Sequence, residues 1–144
     1  SAMYDEARLL AAHDGAEPVA KEACLAIGDR LDTDIEAGNR GGYDSLAVLT
    51  GVTNPHELMF APEHLRPTYI AKDLTGLNEP APEVVHEAGA WSCRDVQACV
   101  DGDRLYVTDI TSVDGLRAAC AAMWDAADRG HSVDGMIVPE FRIA

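Results

Sequence analysis

Short apolar runs alternate with polar, helix-forming stretches through the first half of the chain. Tyr4 to about His13 is rich in helix formers, with Ala7, Leu10 and Ala11 on one face and Asp14-Gly15 as its stop. The run Ala23-Cys24-Leu25-Ala26-Ile27, closed by Gly28-Asp29, predicts a strand buried on both faces. A helix from about Asp34 to Arg40 follows, with Asp32 or Thr33 as its cap and Gly41-Gly42 as its end. Ser45 to Leu49 is a second buried run, ending at Thr50-Gly51, and Asn54-Pro55 opens a short helix through Met59. Pro67 to Ala71 is a third strand-like piece, and Asp73 to Leu77 a turn. Helices alternating with buried strands predict parallel βαβ units and an α/β fold.

The pattern then changes. Asn78 to Pro82 breaks any element, so residues 78–88 read as a linker. Beyond it, Trp91 to Val100 and Leu105 to Ile110 flank Asp101-Gly102-Asp103, a hairpin turn. Ser112 caps a helix whose Leu116, Cys120, Met123, Trp124 and Ala127 form one apolar stripe ending at Gly130. A last apolar run, Met136-Ile137-Val138, stops at Pro139. Residues 89–144 thus read as a small ββαβ extension, too short to be comfortable alone and expected to pack against something else.

Composition narrows the function classes. The 144 residues are 47 % apolar, enough for a core, and 11 Lys and Arg against 25 Asp and Glu give a net charge of −14. Such a surface repels phosphate backbones and anionic lipid, which argues against nucleic-acid and membrane-surface partners. No apolar stretch approaches the roughly 20 residues that span a bilayer, and no cationic, apolar leader opens the chain, so a cytoplasmic location is expected. Ser1 and Ala2 ahead of Met3 read as a cloning scar. Cys24, Cys93, Cys99 and Cys120 form no CxxC pair and favour reduced core thiols over disulfides or zinc. No histidine stands near Cys24 in the sequence, so a catalytic thiol is not expected there. His13, His56, His64, His86 and His131 lack metal spacing, and Trp91 and Trp124 sit among apolar neighbours as packing residues.

The segment Gly28-Asp29-Arg30-Leu31-Asp32-Thr33-Asp34-Ile35 carries the most chemistry. An acid at the carboxyl end of a buried parallel strand points into the crevice where open α/β sheets bind ligands, and a second follows five residues on. Two acids on one loop make half of a site for a hard divalent cation, which keeps waters for a phosphate to replace. The same residues also suit a structural role, Asp32 and Asp34 as helix-start acids and Asp29 in a turn.

These residues, with Gly41-Gly42-Tyr43-Asp44-Ser45, Val48-Leu49-Thr50-Gly51-Val52-Thr53 and Arg66-Pro67-Thr68-Tyr69-Ile70, resemble the haloacid dehalogenase (HAD) superfamily. More narrowly they resemble its NagD and 4-nitrophenylphosphatase type. The resemblance implies that residues 1–77 are the carboxyl-terminal part of a Rossmann-like hydrolase core. It also implies that Asp29 is the main Mg2+ ligand, directly or through water, with Asp34 the supporting acid. The tail is similar to the extension on actinobacterial members of the glycerol 3-phosphate phosphatase kind, itself similar to part of the GCN5-related N-acetyltransferase (GNAT) fold. The acetyltransferase turn (Q/R)xxGx(G/A) is not supplied by Asp109 to Gly115, so coenzyme A binding is not expected.

Three family motifs are missing from these residues: the DxDG[TV] nucleophile strand, the Ser or Thr of the second motif, and the lysine of a GKP-like motif. Asp32-Thr33-Asp34 and Asp101-Gly102-Asp103 are DxD strings in the wrong contexts, and Lys21 and Lys72 lie in no GKP context. The expectation is therefore the carboxyl-terminal part of a longer phosphatase, with no catalytic residue of its own and without the cap that selects substrate. Its substrate would be a small phosphorylated metabolite, with glycerol 3-phosphate the first candidate. The other reading is a non-catalytic module in which an exposed sheet edge pairs with a second copy of the chain.

Overall fold

The structure, a computed structural model, describes residues 2–12, 17–51 and 53–144, with nothing described of the Ala2 side chain. His13, the Asp14-Gly15 stop and Val52 lie outside the described residues. The chain divides into two compact units, Ser1–Thr53 with Glu63–Ala71, and Asn54–Pro62 with Lys72–Ala144.

The first unit is built on a parallel sheet of order β1-β2-β3, with β1 at Leu25–Gly28, β2 at Asp44–Val48 and β3 at Tyr69–Ala71. Ile27 stands opposite Leu46, and Val48 opposite Ala71. β2 is central, and its Ser45, Leu46, Ala47 and Val48 are all buried. Helix α1 (Ala2–Leu10) is tied in through Tyr4, whose ring meets Tyr43 edge-on at 5.8 Å. The Tyr43 hydroxyl donates to Asp5 Oδ1 at 2.5 Å, and Lys21 Nζ stands 3.3 Å from the same carboxylate oxygen. A part-buried polar net centred on the buried Ser45 joins β2 to the approach of β3. The Ser45 and Thr68 backbone amides each donate to the other residue's hydroxyl, the Ser45 hydroxyl donates to Asn39 Oδ1, and Asn39 Nδ2 donates to the Arg66 carbonyl at 2.9 Å.

Two sequence expectations are corrected here. Strand β1 is not buried on both faces: Ala26 is buried, but Leu25 and Ile27, which share the other face, are each 37 % exposed, and β1 pairs with β2 alone among the described residues. The following helix is not capped by Asp32 or Thr33. The chain enters α2 (Glu36–Arg40) through a wide turn at Leu31–Ile35, with the Ile35 amide donating to the Arg30 carbonyl at 3.3 Å. The Asp32 carboxylate instead accepts a two-pronged bond from Arg30, at 3.1 and 3.0 Å.

The second unit contains α3 (Pro55–Met59), the antiparallel sheet β4-β5-β6-β7 and α4 (Val113–Asp128). Asn54 caps α3, accepting the Glu57 amide at 2.8 Å, and Ser112 caps α4, accepting the Gly115 amide at 3.2 Å. The α4 stripe buries Leu116, Cys120 and Met123 to within 1 % exposure. Trp124 is half-buried on the same helix, and its indole N–H donates to the Leu58 carbonyl at 2.9 Å, which ties α3 to α4.

The extension is ββββα in order rather than ββαβ. The segment read as a linker carries β4 (Val84–Glu87), which turns at Ala88 and Gly89 into β5 (Ala90–Cys93). The single run from Trp91 to Val100 is split by a turn at Arg94, φ 52°, so that β6 (Val96–Asp101) folds back on β5. β7 (Arg104–Val107) follows across the expected Asp101-Gly102-Asp103 turn. The last predicted strand is no strand. Ile137 makes one isolated parallel bridge to Arg104, donating to the Asp103 carbonyl at 2.7 Å and accepting from the Leu105 amide at 2.9 Å.

Candidate metal centre

A strand that runs out of pairing partners at its carboxyl end leaves the next side chain free to face solvent. β1 stops at Gly28, so Asp29 is the first residue past the sheet. The wide turn then brings Asp34 back over the strand end: a Cβ on Gly28 would stand inside the Asp34 side chain. Leu31 and Ile35, 1 % and 0 % exposed, anchor this turn in the core, while Asp29 and Asp34 are half-buried. The Tyr4 hydroxyl donates to the Asp34 carbonyl at 3.2 Å. Burial, and after it the Asp34 charge, raise the Tyr4 phenol above its ordinary value, which keeps it a donor. The Asp29 carboxylate lies against the loop that follows β2.

Charge separates the three acids of the segment. Asp32 is taken up by Arg30, whose hydrogen bonds hold its carboxyl below the usual carboxylate range. Arg30 is raised in turn, first by Asp32 and then, more weakly, by Asp29 and Asp34. Among the described residues neither Asp29 nor Asp34 makes an ion pair, so their oxygens stay available. Hard carboxylate oxygens with room for water are the donors that Mg2+ prefers. No group of three His, Cys, Asp or Glu side chains placed to hold a metal ion occurs among the described residues, so Asp29 and Asp34 stand without a third such ligand there.

The other sequence candidates do not join this centre. Cys93 is buried and its thiol donates to Asp114 Oδ1 at 3.3 Å; burial, then Asp114, pushes it up to about 11. Burial alone raises Cys120. All four cysteines are free thiols. His56 stacks on Phe60, His86 on Trp91 at 4.4 Å, and a ring nitrogen of His131 bonds the Gly102 carbonyl at 2.9 Å.

An acid just beyond the carboxyl end of a parallel strand, with a second folded over that end, lies where open α/β sheets bind their ligands. The chain belongs to the HAD-hydrolase-like family, which it matches over residues 1–77. It is 38 % identical over 116 residues to D-glycerol 3-phosphate phosphatase of Mycobacterium tuberculosis, an alignment covering 72 % of this chain and 31 % of that protein. It is also 39 % identical over 51 residues to phosphoglycolate phosphatase 2 of Arabidopsis thaliana, covering 35 % of this chain and 17 % of the relative. A crystal structure of the mycobacterial glycerol phosphate phosphatase in complex with magnesium superposes with a TM-score of 0.57 at 37 % identity, covering 71 % of this chain and 30 % of that one. The chain thus spans about a third or less of the length of these relatives. No helix among the described residues is long and apolar enough to cross a membrane.

Proposed function

We propose that these residues supply the metal-holding half of a magnesium-dependent phosphomonoester hydrolase of the NagD and 4-nitrophenylphosphatase type, with glycerol 3-phosphate as the first candidate substrate. The observation that carries this is the placement of Asp29 and Asp34 at the carboxyl end of β1, clear of the Arg30–Asp32 pair. The mycobacterial and plant phosphatases it resembles support the substrate class.

Magnesium, when bound, would offset negative charge on the phosphoryl oxygens. Asp29 would hold it, with Asp34 in support. The chain's other residues keep those acids in place and unneutralised: Asp32 engages Arg30, Tyr4 fixes the Asp34 backbone, and Leu31 and Ile35 lock the turn. Covalent phosphoryl transfer also needs a nucleophilic aspartate, and the sequence holds no DxDG[TV] strand to provide one. On this reading residues 89–144 are an appended GNAT-like packing module and the chain alone turns over no phosphomonoester.

The test is a phosphatase assay with Mg2+ on glycerol 3-phosphate, phosphoglycolate and p-nitrophenyl phosphate. The chain alone is expected to be inactive. Activity is expected when it is mixed with the amino-terminal part of the mycobacterial relative, which would supply the nucleophile motif. Turnover by the chain alone that disappears in Asp29→Ala would overturn the division of labour.

The half-exposed Leu25 and Ile27 on the open edge strand favour a second reading, pairing of two copies at β1. Light scattering separates the two: a stable dimer indifferent to magnesium favours the module, a monomer the enzyme fragment.

A further inference from the structure

Asp29 is the first residue beyond β1, and neither its own strand nor its own turn explains what fixes its carboxylate. The loop after β2 does. A Cβ at position 51 would stand inside the Asp29 carboxylate and only 2.7 Å from its Cβ. Gly51 is not one of the positive-φ glycines, so its missing side chain serves this close approach rather than a backbone turn. Two residues on, Thr53 places both of its donors on one atom: its hydroxyl and its amide reach the Asp29 carbonyl at 2.7 and 3.0 Å. Thr53 is 3 % exposed and, with Ser45, is one of the two buried polar residues among those described. A buried hydroxyl spent on the backbone of a candidate ligand, next to a glycine that makes room for the ligand's side chain, is an outer support of the kind that orients metal ligands.

We infer that Gly51 and Thr53 are positioning residues for Asp29, setting how tightly the centre holds a divalent cation. The inference rests on the reading of Asp29 as a metal ligand. In the sequence Thr50-Gly51 marks the end of a buried run and Thr50 to Thr53 carry part of a resemblance, but the contact itself is not legible because it joins residues 22 and 24 positions apart across two strands.

Titration of Mn2+ into the 144-residue chain, with free ion followed by electron paramagnetic resonance, tests it. Gly51→Ala and Thr53→Val are expected to weaken binding by about tenfold or more. Thr53→Ser, which keeps the hydroxyl, is expected to stay near wild type, and Asp29→Asn to lose the site. Wild-type binding with unchanged affinity in Gly51→Ala and Thr53→Val would overturn the positioning role and leave Asp29 as a ligand. Wild-type binding no tighter than Asp29→Asn would overturn the metal reading and the positioning role together. Should Gly51→Ala fail to fold in a thermal melt, Thr53→Val against Thr53→Ser decides, and equal affinities overturn the inference.

Discussion

The two units solve the burial problem differently. In the second, one long amphipathic helix covers an antiparallel sheet whose hairpins keep every strand beside its sequence neighbour, and Leu116, Cys120 and Met123 vanish from solvent. In the first, a three-stranded parallel sheet buries Ser45 to Val48 of its central strand but leaves β1, among the described residues, with a free edge and two exposed aliphatic side chains. The unit that carries the candidate chemistry is the less finished one. Parallel sheets place loops at the carboxyl ends of their strands, where an acid can face a ligand, but they need cover on both faces.

The largest effect expected from this contrast is in the second unit. Leu116→Ala removes a fully buried side chain and should cost about 3 kcal/mol, read as a lower denaturant midpoint. Ile27→Ala removes a similar side chain from the open strand and should cost no more than about 1.5 kcal/mol, given its 37 % exposure. Equal losses would break the comparison. Trp124→Phe removes the indole donor from the Leu58 carbonyl, which keeps the Ala61 amide at 3.2 Å, a loss of about 1 kcal/mol or less confined to the second unit.

The last effect appears only in alkali. The Cys93 thiol is raised in the folded chain from its ordinary 9.0 to about 11, so folding favours the protonated form. That contribution is whole below pH 9, declines as pH rises and is gone above about 11. Thiol titration should find Cys93 and Cys120 slow at pH 8 and half-buried Cys24 and Cys99 faster, with Cys93 emerging as stability falls. Rapid labelling of all four at pH 8 would contradict the packing.

Local signals account for much of what was legible. Asn54 and Ser112 announced their helices because a cap is written in one residue, and the α4 stripe because burial recurs with the helical period. Asp29 and Asp34 stood out by spacing and by resemblance. Less visible were turns without glycine or proline at their centre: Arg94 takes a left-handed conformation where nothing in Trp91 to Val100 marks a break. The open face of β1 was equally hidden, since an apolar run reads the same whether or not anything packs over it. The Asp32 cap failed because Arg30, two residues away, competes for the carboxylate.

The central claim is that Asp29 and Asp34 hold a divalent cation, and paramagnetic broadening tests it most directly. Trace Mn2+ added to isotope-labelled chain should first erase the amide signals of Gly28 to Ile35 and of Gly51 and Thr53, and Asp29→Asn should restore them. Broadening spread over exposed acids such as Asp101 and Asp103, unchanged in Asp29→Asn, would contradict it.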